Sequence, residues 1–253
     1  MSDHFHDRVV LVTGAGSGIG RATALAFAAE GAIVVAAGRS TESLAESVAL
    51  IEGDGGRGDA ITVDVTSGDS VADLVDAVVT RHGGLHVAVN NAGIVGPTGP
   101  VADVPEADWR ALFEVNVTGV WLCLKHEIQH MRAHGGGTIV NVASNIGAHA
   151  RRPGMAPYAA SKAAVSALTR AAARDHISDG VRINAVSPGA TDTSLSLRAG
   201  ETMPDRDARI ASTVPLGRVG ATAEVAAAIL WLSSPSSAFA VGHDLVIDGG
   251  ASA

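Results

Sequence analysis

Short runs of β-branched residues alternate with alanine-rich stretches along most of the chain, and this alternation restricts its possible folds more than any other feature. The pattern predicts strands at 8–13, 32–37, 60–64, 86–90, 137–142, 181–186 and 244–247. The predicted helices cover 18–30, 41–52, 71–82, 108–134, 157–179 and 223–233. Nearly continuous apolar strands separated by helices are typical of a parallel sheet covered on both faces. Since crossovers between parallel strands are right-handed, we predict a doubly wound α/β fold with its ligand site at the carboxyl ends of the strands.

One domain accounts for the whole pattern. The chain has 253 residues, of which 47% are hydrophobic, enough for a single large α/β core. We find no linker, repeat or low-complexity stretch, so we predict one domain over 1–253. The irregular stretch 190–220 is rich in Ser, Thr, Arg and Asp, and a long segment without a clear period is typical of a lid. We therefore expect 190–220 to be a substrate loop.

Composition excludes several classes of function. The net charge is −8 and no stripe of Lys or Arg is present, so we expect no nucleic-acid partner. Cys123 is the single cysteine, which rules out an intramolecular disulfide and suits a reducing compartment. The first eight residues are polar, unlike a signal peptide, and no apolar run reaches the ~18 residues that span a bilayer. These features predict a soluble, cytoplasmic protein without a membrane partner.

A glycine-rich turn follows the first predicted strand and opens the first predicted helix. It reads TGAGSGIG from Thr13 to Gly20, which is a TGxxxGxG pattern rather than GxGxxG, because Ile19 replaces the third glycine of the latter. Glycines let the backbone approach a pyrophosphate, and a helix N-terminus offers free N–H groups to it. The turn alone could be purely structural, but its place between strand and helix favours binding of a dinucleotide. The candidate contacts are Gly14, Ser17, Gly18, Ile19 and Gly20.

The end of the second strand bears on the choice of coenzyme. Enzymes that use NAD usually carry an acid there, which hydrogen-bonds the ribose 2′-hydroxyl. This chain has Gly38 followed by Arg39, so no carboxylate repels a 2′-phosphate and a guanidinium is available to bind it. NADP(H) is therefore favoured, while NAD(H) stays possible because Ser17 supplies no second basic group and Arg39 could be an ordinary surface residue.

Other strand ends add candidates for the same groove. A carboxylate after the third strand could accept a hydrogen bond from the adenine amino group, and small residues after the fourth strand leave room for the ribose. The candidates at these ends are Asp64, Val65, Asn90, Ala92, Gly93, Pro188 and Gly189.

The sole tyrosine precedes one of the two lysines by four positions. Tyr158 and Lys162 lie in a strongly helical stretch, so their side chains share a helix face one turn apart. A free phenol has a pKa of about 10, and a neighbouring ammonium lowers that pKa. Such a phenol can exchange a proton with an alcohol oxygen. The alternative is a pair on a helix face without chemistry.

Together these motifs resemble the short-chain dehydrogenase/reductase family, in the subgroup with a TGxxxGxG turn and a YxxxK pair. The resemblance runs from 8 to 250 and includes the NNAG run at 90–93, the PGxxxT run at 188–193, Asn116 within ENV and Ser144 within NVAS. It implies a Rossmann-like NAD(P)-binding domain and transfer of hydride between nicotinamide and an alcohol/carbonyl pair.

The resemblance also implies roles for individual residues. Tyr158 is expected to be the general acid in reduction and the general base in oxidation. Lys162 is expected to hold the nicotinamide ribose and lower the pKa of Tyr158. Ser144 would hydrogen-bond the substrate oxygen, and Asn116 would anchor a water that relays protons from Lys162.

At the nicotinamide end, Thr191 and Thr193 are expected to contact the coenzyme, and the Pro188-Gly189 pair to fix its ring. Tetramers are common in the family, so a homotetramer is expected.

The chain departs from the sequence pattern of the family at two places. Ser144 and Tyr158 are about one position further apart than is usual, and His86 stands where the family often has Asp.

The substrate pocket is predicted to consist of 144–157 and 190–220. The expected substrate is a small secondary or cyclic alcohol or ketone, while a sugar or an acyl thioester stays open. Arg151 and Arg152 could bind an acidic group or simply lie at the surface. Three apolar residues of the lid could face the pocket or pack beneath it: Leu195, Leu197 and Met203.

One motif points to different chemistry. His126, Glu127 and His130 match the HExxH pattern of zinc peptidases, and His134 extends it by one turn. The further pattern of one subgroup fails, because Ala133 stands where it requires glycine. The motif also lies on a crossover helix away from the strand ends, so we predict no metal site.

A non-catalytic module that senses NAD(P) is the alternative function. Such a module could keep the glycine-rich turn. It has little reason to keep Asn116, Ser144, Tyr158 and Lys162 together, and all four are present.

Overall fold

A parallel sheet forms the centre of the computed structural model, which describes residues 4–198 and 200–253. The strands are β1 (Val9–Thr13), β2 (Ile33–Gly38), β3 (Arg57–Thr62), β4 (Val87–Asn90), β5 (Gly137–Val142), β6 (Val181–Pro188) and β7 (Asp244–Ile247). Their order is β3-β2-β1-β4-β5-β6-β7, and every neighbouring pair is parallel. The order reverses between β1 and β4, and ligands of such sheets bind beside that switch point.

Helices connect the strands. They are α1 (Gly18–Ala29), α2 (Thr41–Gly53), α3 (Gly68–His82), α4 (Glu106–Phe113), α5 (Gly119–Ala133), α6 (Asn145–Ala148), α7 (Ala156–His176), α8 (Met203–Ala211) and α9 (Thr222–Ser233). A π-helical turn, Glu114–Thr118, joins α4 to α5. Across the described residues, no helix combines the length and the apolar character needed to cross a bilayer.

Successive side chains of each strand point to opposite faces of the sheet, so the core consists of two layers. In β1, Val9 and Leu11 belong to one buried cluster, and Val10 and Val12 belong to the other. The first cluster contains the apolar faces of α3, α5 and α7, and the second contains those of α1, α2 and α9. The predicted doubly wound sheet with helices on both faces is therefore confirmed.

Three boundaries differ from the prediction for physical reasons. β3 covers Arg57–Thr62 rather than 60–64, because an edge strand tolerates polar residues that a search for apolar runs passes over. α3 begins three residues early, since the Ser67 hydroxyl caps it by accepting from the Ser70 N–H at 3.3 Å. The predicted helix 108–134 exists, but the π turn interrupts it.

The stretch 190–220 is more ordered than predicted. It contains α8, whose N-terminus is capped by Thr202. The Arg206 side chain is 2% exposed and pairs with Asp192 at 2.8 Å and Asp207 at 2.6 Å. α8 is short and mostly polar, and an arginine lies on its buried face beside Ile210, so the search for apolar periodicity did not predict it.

Candidate active site

Two cavities lie side by side at the carboxyl ends of the strands. The first, about 240 Å³, extends from Arg39 to Ile94 beside β1, β2 and β4. The second, about 180 Å³, extends from Ile94 to Tyr158 and the lid. Gly93 and Ile94 line both, so the cavities adjoin there.

Most predicted coenzyme residues line one cavity or the other. The first cavity collects Gly14, Ser17, Arg39, Asp64, Val65, Ala92 and Gly93. The second collects Ile19, Gly93, Tyr158, Lys162, Pro188, Gly189, Thr191 and Thr193. An elongated, two-part ligand such as a dinucleotide fits this arrangement.

The glycine-rich turn needs its glycines for packing. Gly14 has φ +66°, in the left-handed region that favours glycine. A Cβ at Gly20 would lie 2.2 Å from the Gly14 carbonyl oxygen, so no side chain fits there. Ser17 precedes α1, and its side chain forms no capping hydrogen bond within the described residues. Its first N–H groups therefore suit the phosphates of a dinucleotide.

Asn91, which the sequence analysis did not single out, fixes this turn. Its Nδ2 donates to the carbonyl oxygens of Thr13 at 3.0 Å and Gly14 at 3.2 Å. The backbone N–H groups of Asn91 and Ala92 both donate to the Thr13 hydroxyl. These hydrogen bonds join the end of β4 to the end of β1. In the sequence, the adjacent pair Asn90-Asn91 was the feature that could have identified Asn91.

The side chain of Asn90, a predicted coenzyme residue, does not line either cavity, and its contact with the coenzyme stays a prediction. It is 2% exposed, and its Nδ2 donates to Glu127 Oε2 at 2.9 Å and Asn141 Oδ1 at 3.0 Å. Consecutive side chains of a strand point to opposite faces, and Asn90 lies on the face covered by α5 and α7. Asn91 therefore meets the groove and Asn90 does not.

Two of the charged residues predicted for the coenzyme, Arg39 and Asp64, line the first cavity. Arg39 is exposed and follows β2, as expected. Hydrogen bonds from the Thr66 backbone and hydroxyl lower the pKa of the Asp64 carboxyl, and the Arg39 charge adds to this effect. Asp64 is therefore ionised at neutral pH and can accept hydrogen bonds.

The predicted Tyr158–Lys162 pair lies on α7 and faces the second cavity. Ser144, 6% exposed, caps α6 by accepting from the Ile146 N–H. Burial raises the pKa of Tyr158, and the nearby Ser144 hydroxyl lowers it by less. The phenol is therefore in its acid form at neutral pH, and the expected effect of Lys162 on this pKa stays a prediction.

Lys162 is 4% exposed, and its Nζ donates to the Val142 carbonyl oxygen at 2.8 Å. Burial lowers the pKa of its ammonium to about 8, so the group is mostly charged at pH 7. A Cβ at Gly93 would lie 3.4 Å from Nζ. The ammonium therefore lies where the two cavities adjoin.

Asn116 occupies the π turn and supports the floor of the site. Its Oδ1 accepts from the Ile94 N–H at 2.9 Å, and its Nδ2 donates to the Ile94 carbonyl oxygen at 2.9 Å. A further bond reaches Ser161 at 3.1 Å. Single π turns inside helices are common at functional sites. The contacts give Asn116 a positioning role, and the water it was expected to anchor stays a prediction.

The loop 144–157 contributes less to the second cavity than predicted. His149 Nε2 lies 3.0 Å from Asp244 Oδ2, and the Arg151 guanidinium donates to the carbonyl oxygens of Gly147 and Ala150. Neither residue lines the cavity, whereas Arg152 and Met155 do.

The predicted pocket stretch 190–220 lines the second cavity partly through residues that were not named individually. Leu195 lines this cavity, while Leu197 and Met203 do not. Arg209 and Ile210 of α8 also line it. No sequence signal marked these two residues individually, because the helix itself was not predicted.

The residues of the zinc-peptidase motif are divided between the buried and the partly exposed faces of α5. Glu127 is 1% exposed and points into the core toward Asn90, while His126 and His130 are partly exposed. Within residues 4–198 and 200–253, no three His, Cys, Asp or Glu side chains converge to hold a metal ion. The helix periodicity explains this, since Glu127 lies on a different face from its flanking histidines.

Comparison with known proteins agrees with this geometry. The family model described as enoyl-(acyl carrier protein) reductase matches residues 14–252, nearly the whole chain. The chain belongs to the short-chain dehydrogenase/reductase family. The resemblance inferred from the motifs is thus confirmed.

Two relatives and one solved structure show how closely this family member matches others. It is 43% identical to cis-4-hydroxycyclohexanecarboxylate dehydrogenase of Sinomonas cyclohexanicum, over 99% of this chain and 98% of the relative. It is 40% identical to 3-oxoacyl-[acyl-carrier-protein] reductase FabG of Thermotoga maritima, over 96% and 97%. The crystal structure of levodione reductase superposes with a TM-score of 0.93 at 34% identity, covering 98% of each chain.

Membership of the short-chain dehydrogenase/reductase family establishes the reaction class. The protein is an NAD(P)-dependent oxidoreductase that acts on a CH–OH/C=O pair of a small molecule. The predicted fold, family and enzyme class are confirmed.

Proposed function

We propose that the protein interconverts a ring-borne secondary alcohol and its ketone, with Tyr158 as general acid and base and NADP(H) as coenzyme. The observation that carries this proposal is the shared lining of the second cavity. There the Tyr158 and Ser144 hydroxyls meet the end of the coenzyme groove. A carbonyl oxygen bound there would accept a hydrogen bond from each.

The chain's own groups perform the proton chemistry. When bound, the nicotinamide donates or accepts the hydride. In reduction, the Tyr158 hydroxyl gives its proton to the carbonyl oxygen, and Ser144 donates a hydrogen bond that stabilises the developing negative charge. The Lys162 ammonium, held by Val142, compensates the charge left on the phenol. Alcohol oxidation follows the same path in reverse.

The walls of the second cavity favour a compact, apolar substrate. Ile94, Met155, Leu195 and Ile210 surround the space in front of Tyr158. Aliphatic walls suit a saturated ring, and the relative from Sinomonas acts, by its name, on such an alcohol. The relative from Thermotoga favours a second candidate, a 3-oxoacyl thioester. A panel of cyclohexanols, cyclohexanones and acetoacetyl thioesters, followed at 340 nm with each coenzyme, separates the two.

NADP(H) is supported by the residues after β2. Gly38 and Arg39 line the first cavity, and neither places a carboxylate where a 2′-phosphate would lie. Arg39 is exposed and within reach of a phosphate at the rim. NAD(H) stays the alternative.

Tyr158→Phe tests the proposed chemistry. It removes the hydroxyl and keeps the ring, so we expect turnover to fall at least about 10³-fold, while coenzyme affinity changes little. Initial rates and coenzyme fluorescence titration measure the two quantities. Retained turnover would require another proton donor, and loss of coenzyme binding in a folded variant would point to a positioning role.

Ser144, Tyr158 and Lys162 line one cavity, and Asn116 holds the backbone of Ile94 in its wall, which supports an enzyme over a sensing module. We also propose a cytoplasmic homotetramer. Apolar side chains at the surface support the assembly, notably Trp121 at 48% exposure and the fully exposed Phe239. The single buried thiol, Cys123, is compatible with a reducing compartment.

A further inference from the structure

The charged side chains that line the second cavity are all cationic. They are Arg152, Lys162 and Arg209, and no Asp or Glu of the described residues lines the cavity. The chain as a whole carries a net charge of −8, so this local excess runs against its overall composition. A pocket lined by one sign of charge attracts ligands of the other sign.

Two of these cations already have partners. Lys162 donates to the Val142 carbonyl oxygen and lies beside the reacting hydroxyls. Arg209 forms a two-pronged pair with Glu201, at 2.6 Å from Nε and 2.7 Å from Nη2. This pair lowers the pKa of Glu201 to about 2, so the carboxylate stays ionised and neutralises Arg209.

Arg152 is the third cation that lines the second cavity. Within residues 4–198 and 200–253, it forms no ion pair and no side-chain hydrogen bond. Burial and the charges of Arg198 and Arg209 lower the pKa of its guanidinium, and Glu201 offsets this in part. Arg198, Arg209 and Glu201 therefore lie close enough to Arg152 to act on its charge, and Glu201 is already paired with Arg209.

The neighbouring Arg151 shows what a structural arginine looks like in this loop. Its Nη1 donates to the carbonyl oxygens of Gly147 at 2.5 Å and Ala150 at 3.2 Å, and it lies outside the cavity. Arg152 has no such backbone partner and faces the space where the substrate binds. A guanidinium lacking a partner is suited to bind a carboxylate through two parallel hydrogen bonds.

We propose that Arg152 binds a carboxylate of the substrate, so that the preferred substrates are ring alcohols or ketones bearing an acid group away from the reacting carbon. This inference rests on the proposed function, since it places the ring between Arg152 and Tyr158. The aliphatic walls would contact the ring, and Ile210 of α8 belongs to these walls. Arg152 then determines specificity, while Tyr158 performs the chemistry.

The first experiment measures binding without turnover. Wild type, Arg152→Gln and Arg151→Gln are each saturated with NADP and melted with cyclohexanecarboxylate or with its neutral analogue, cyclohexanecarboxamide. We expect the acid to raise the melting temperature of wild type and Arg151→Gln more than the amide does, and this difference to vanish in Arg152→Gln. Equal shifts by acid and amide in wild type would overturn the proposal.

The second experiment measures selectivity. The ratio of kcat/KM for 4-hydroxycyclohexanecarboxylate to that for its carboxamide should fall about 10-fold in Arg152→Gln, chiefly through KM. Arg151→Gln removes the same charge one residue away, and its ratio should match wild type. An equal fall of this ratio in both variants would mean that the overall positive charge near the cavity, and not a contact with Arg152, selects the acid.

Failure of the two proposals looks different. If no ring alcohol or ketone is turned over while the acid still stabilises wild type through Arg152, the proposed function is wrong and the anion site stands. If neutral ring alcohols are turned over as well as acids, with no effect of Arg152 on the ratio, the anion site is wrong and the proposed function stands.

Discussion

At the scale of single residues, two adjacent and identical side chains at the end of β4 have different surroundings, and only one of them lines either of the two cavities. Asn90 and Asn91 are adjacent asparagines, yet one enters a buried polar network and the other fixes the glycine-rich turn. A motif identifies the pair, and only the pleat of β4 assigns a face to each member. The same reasoning separates Arg151 from Arg152, because a backbone carbonyl captures one guanidinium and leaves the other facing the cavity.

Arg39 gives the residue-scale prediction for the coenzyme. Arg39→Ser removes the only cationic side chain among the described residues that line the first cavity. We expect kcat/KM for NADPH to fall about 10- to 100-fold, as expected for loss of a charge-assisted hydrogen bond, and that for NADH to change less than about threefold. Steady-state rates with both coenzymes measure the ratio.

Arg57→Ser is the matched control. Arg57 is the first residue of β3, so it lies at the end of the strands away from the coenzyme cavity, and it pairs with Asp7. Its coenzyme ratio should equal that of wild type. If Arg39→Ser lowered both efficiencies equally, Arg39 would not contact the 2′-phosphate.

At the scale of elements, a buried polar network joins two strands to two helices behind the site. Glu127 of α5 accepts from Asn90 of β4, which also bonds Asn141 of β5, and Asn141 donates to Thr169 of α7 at 2.9 Å. Among the described residues, Glu127 Oε1 has no partner. Burial therefore dominates and raises the pKa of the Glu127 carboxyl to about 7.

This network predicts a pH-dependent stability. Between the ordinary Glu pKa of 4.5 and about 7, the folded state binds more protons than the unfolded state, so stability falls as pH rises through that window. Glu127→Gln can still accept from Asn90 and does not titrate. Its free energy of unfolding relative to wild type should therefore rise from pH 5 to pH 8, by up to roughly 3 kcal/mol.

Urea unfolding at fixed protein concentration, at pH 5 and pH 8, measures this difference. Glu52→Gln, at an exposed position of α2, serves as the control. A Glu127→Gln effect of the same size at both pH values would show that Glu127 does not titrate in this range.

Elements also show how far the sequence alone could go. Strands with continuous apolar runs, such as β1 and β5, were predicted almost to the residue, because burial on both faces leaves a clear signal. α8 was missed because it is mostly polar and because its buried Arg206 pairs with Asp192, 14 positions earlier, which apolar periodicity does not reveal. The Tyr158–Lys162 pair could be predicted from helical spacing, whereas Arg209 could not, since it enters the site only through α8.

At the scale of the whole molecule, the exposed apolar side chains bear on assembly. Phe239 is fully exposed and Val241 is 39% exposed, both in the connection from α9 to β7. Neither faces the two cavities, so substrate binding does not account for their exposure. A second copy of the chain that covered them would remove this apolar surface from water.

We therefore expect light scattering after size-exclusion chromatography to give a mass of about four times 25.4 kDa for wild type. Phe239→Ser should shift the distribution toward smaller species at micromolar concentration, because it removes apolar area that only association buries. Leu50→Ser, which removes an exposed leucine on α2, should leave the mass unchanged and controls for a general loss of apolar surface. A wild-type mass of one chain would contradict the tetramer itself. An unchanged mass for Phe239→Ser would place the contact elsewhere, with the half-exposed Trp121 on α5 as the next surface to substitute.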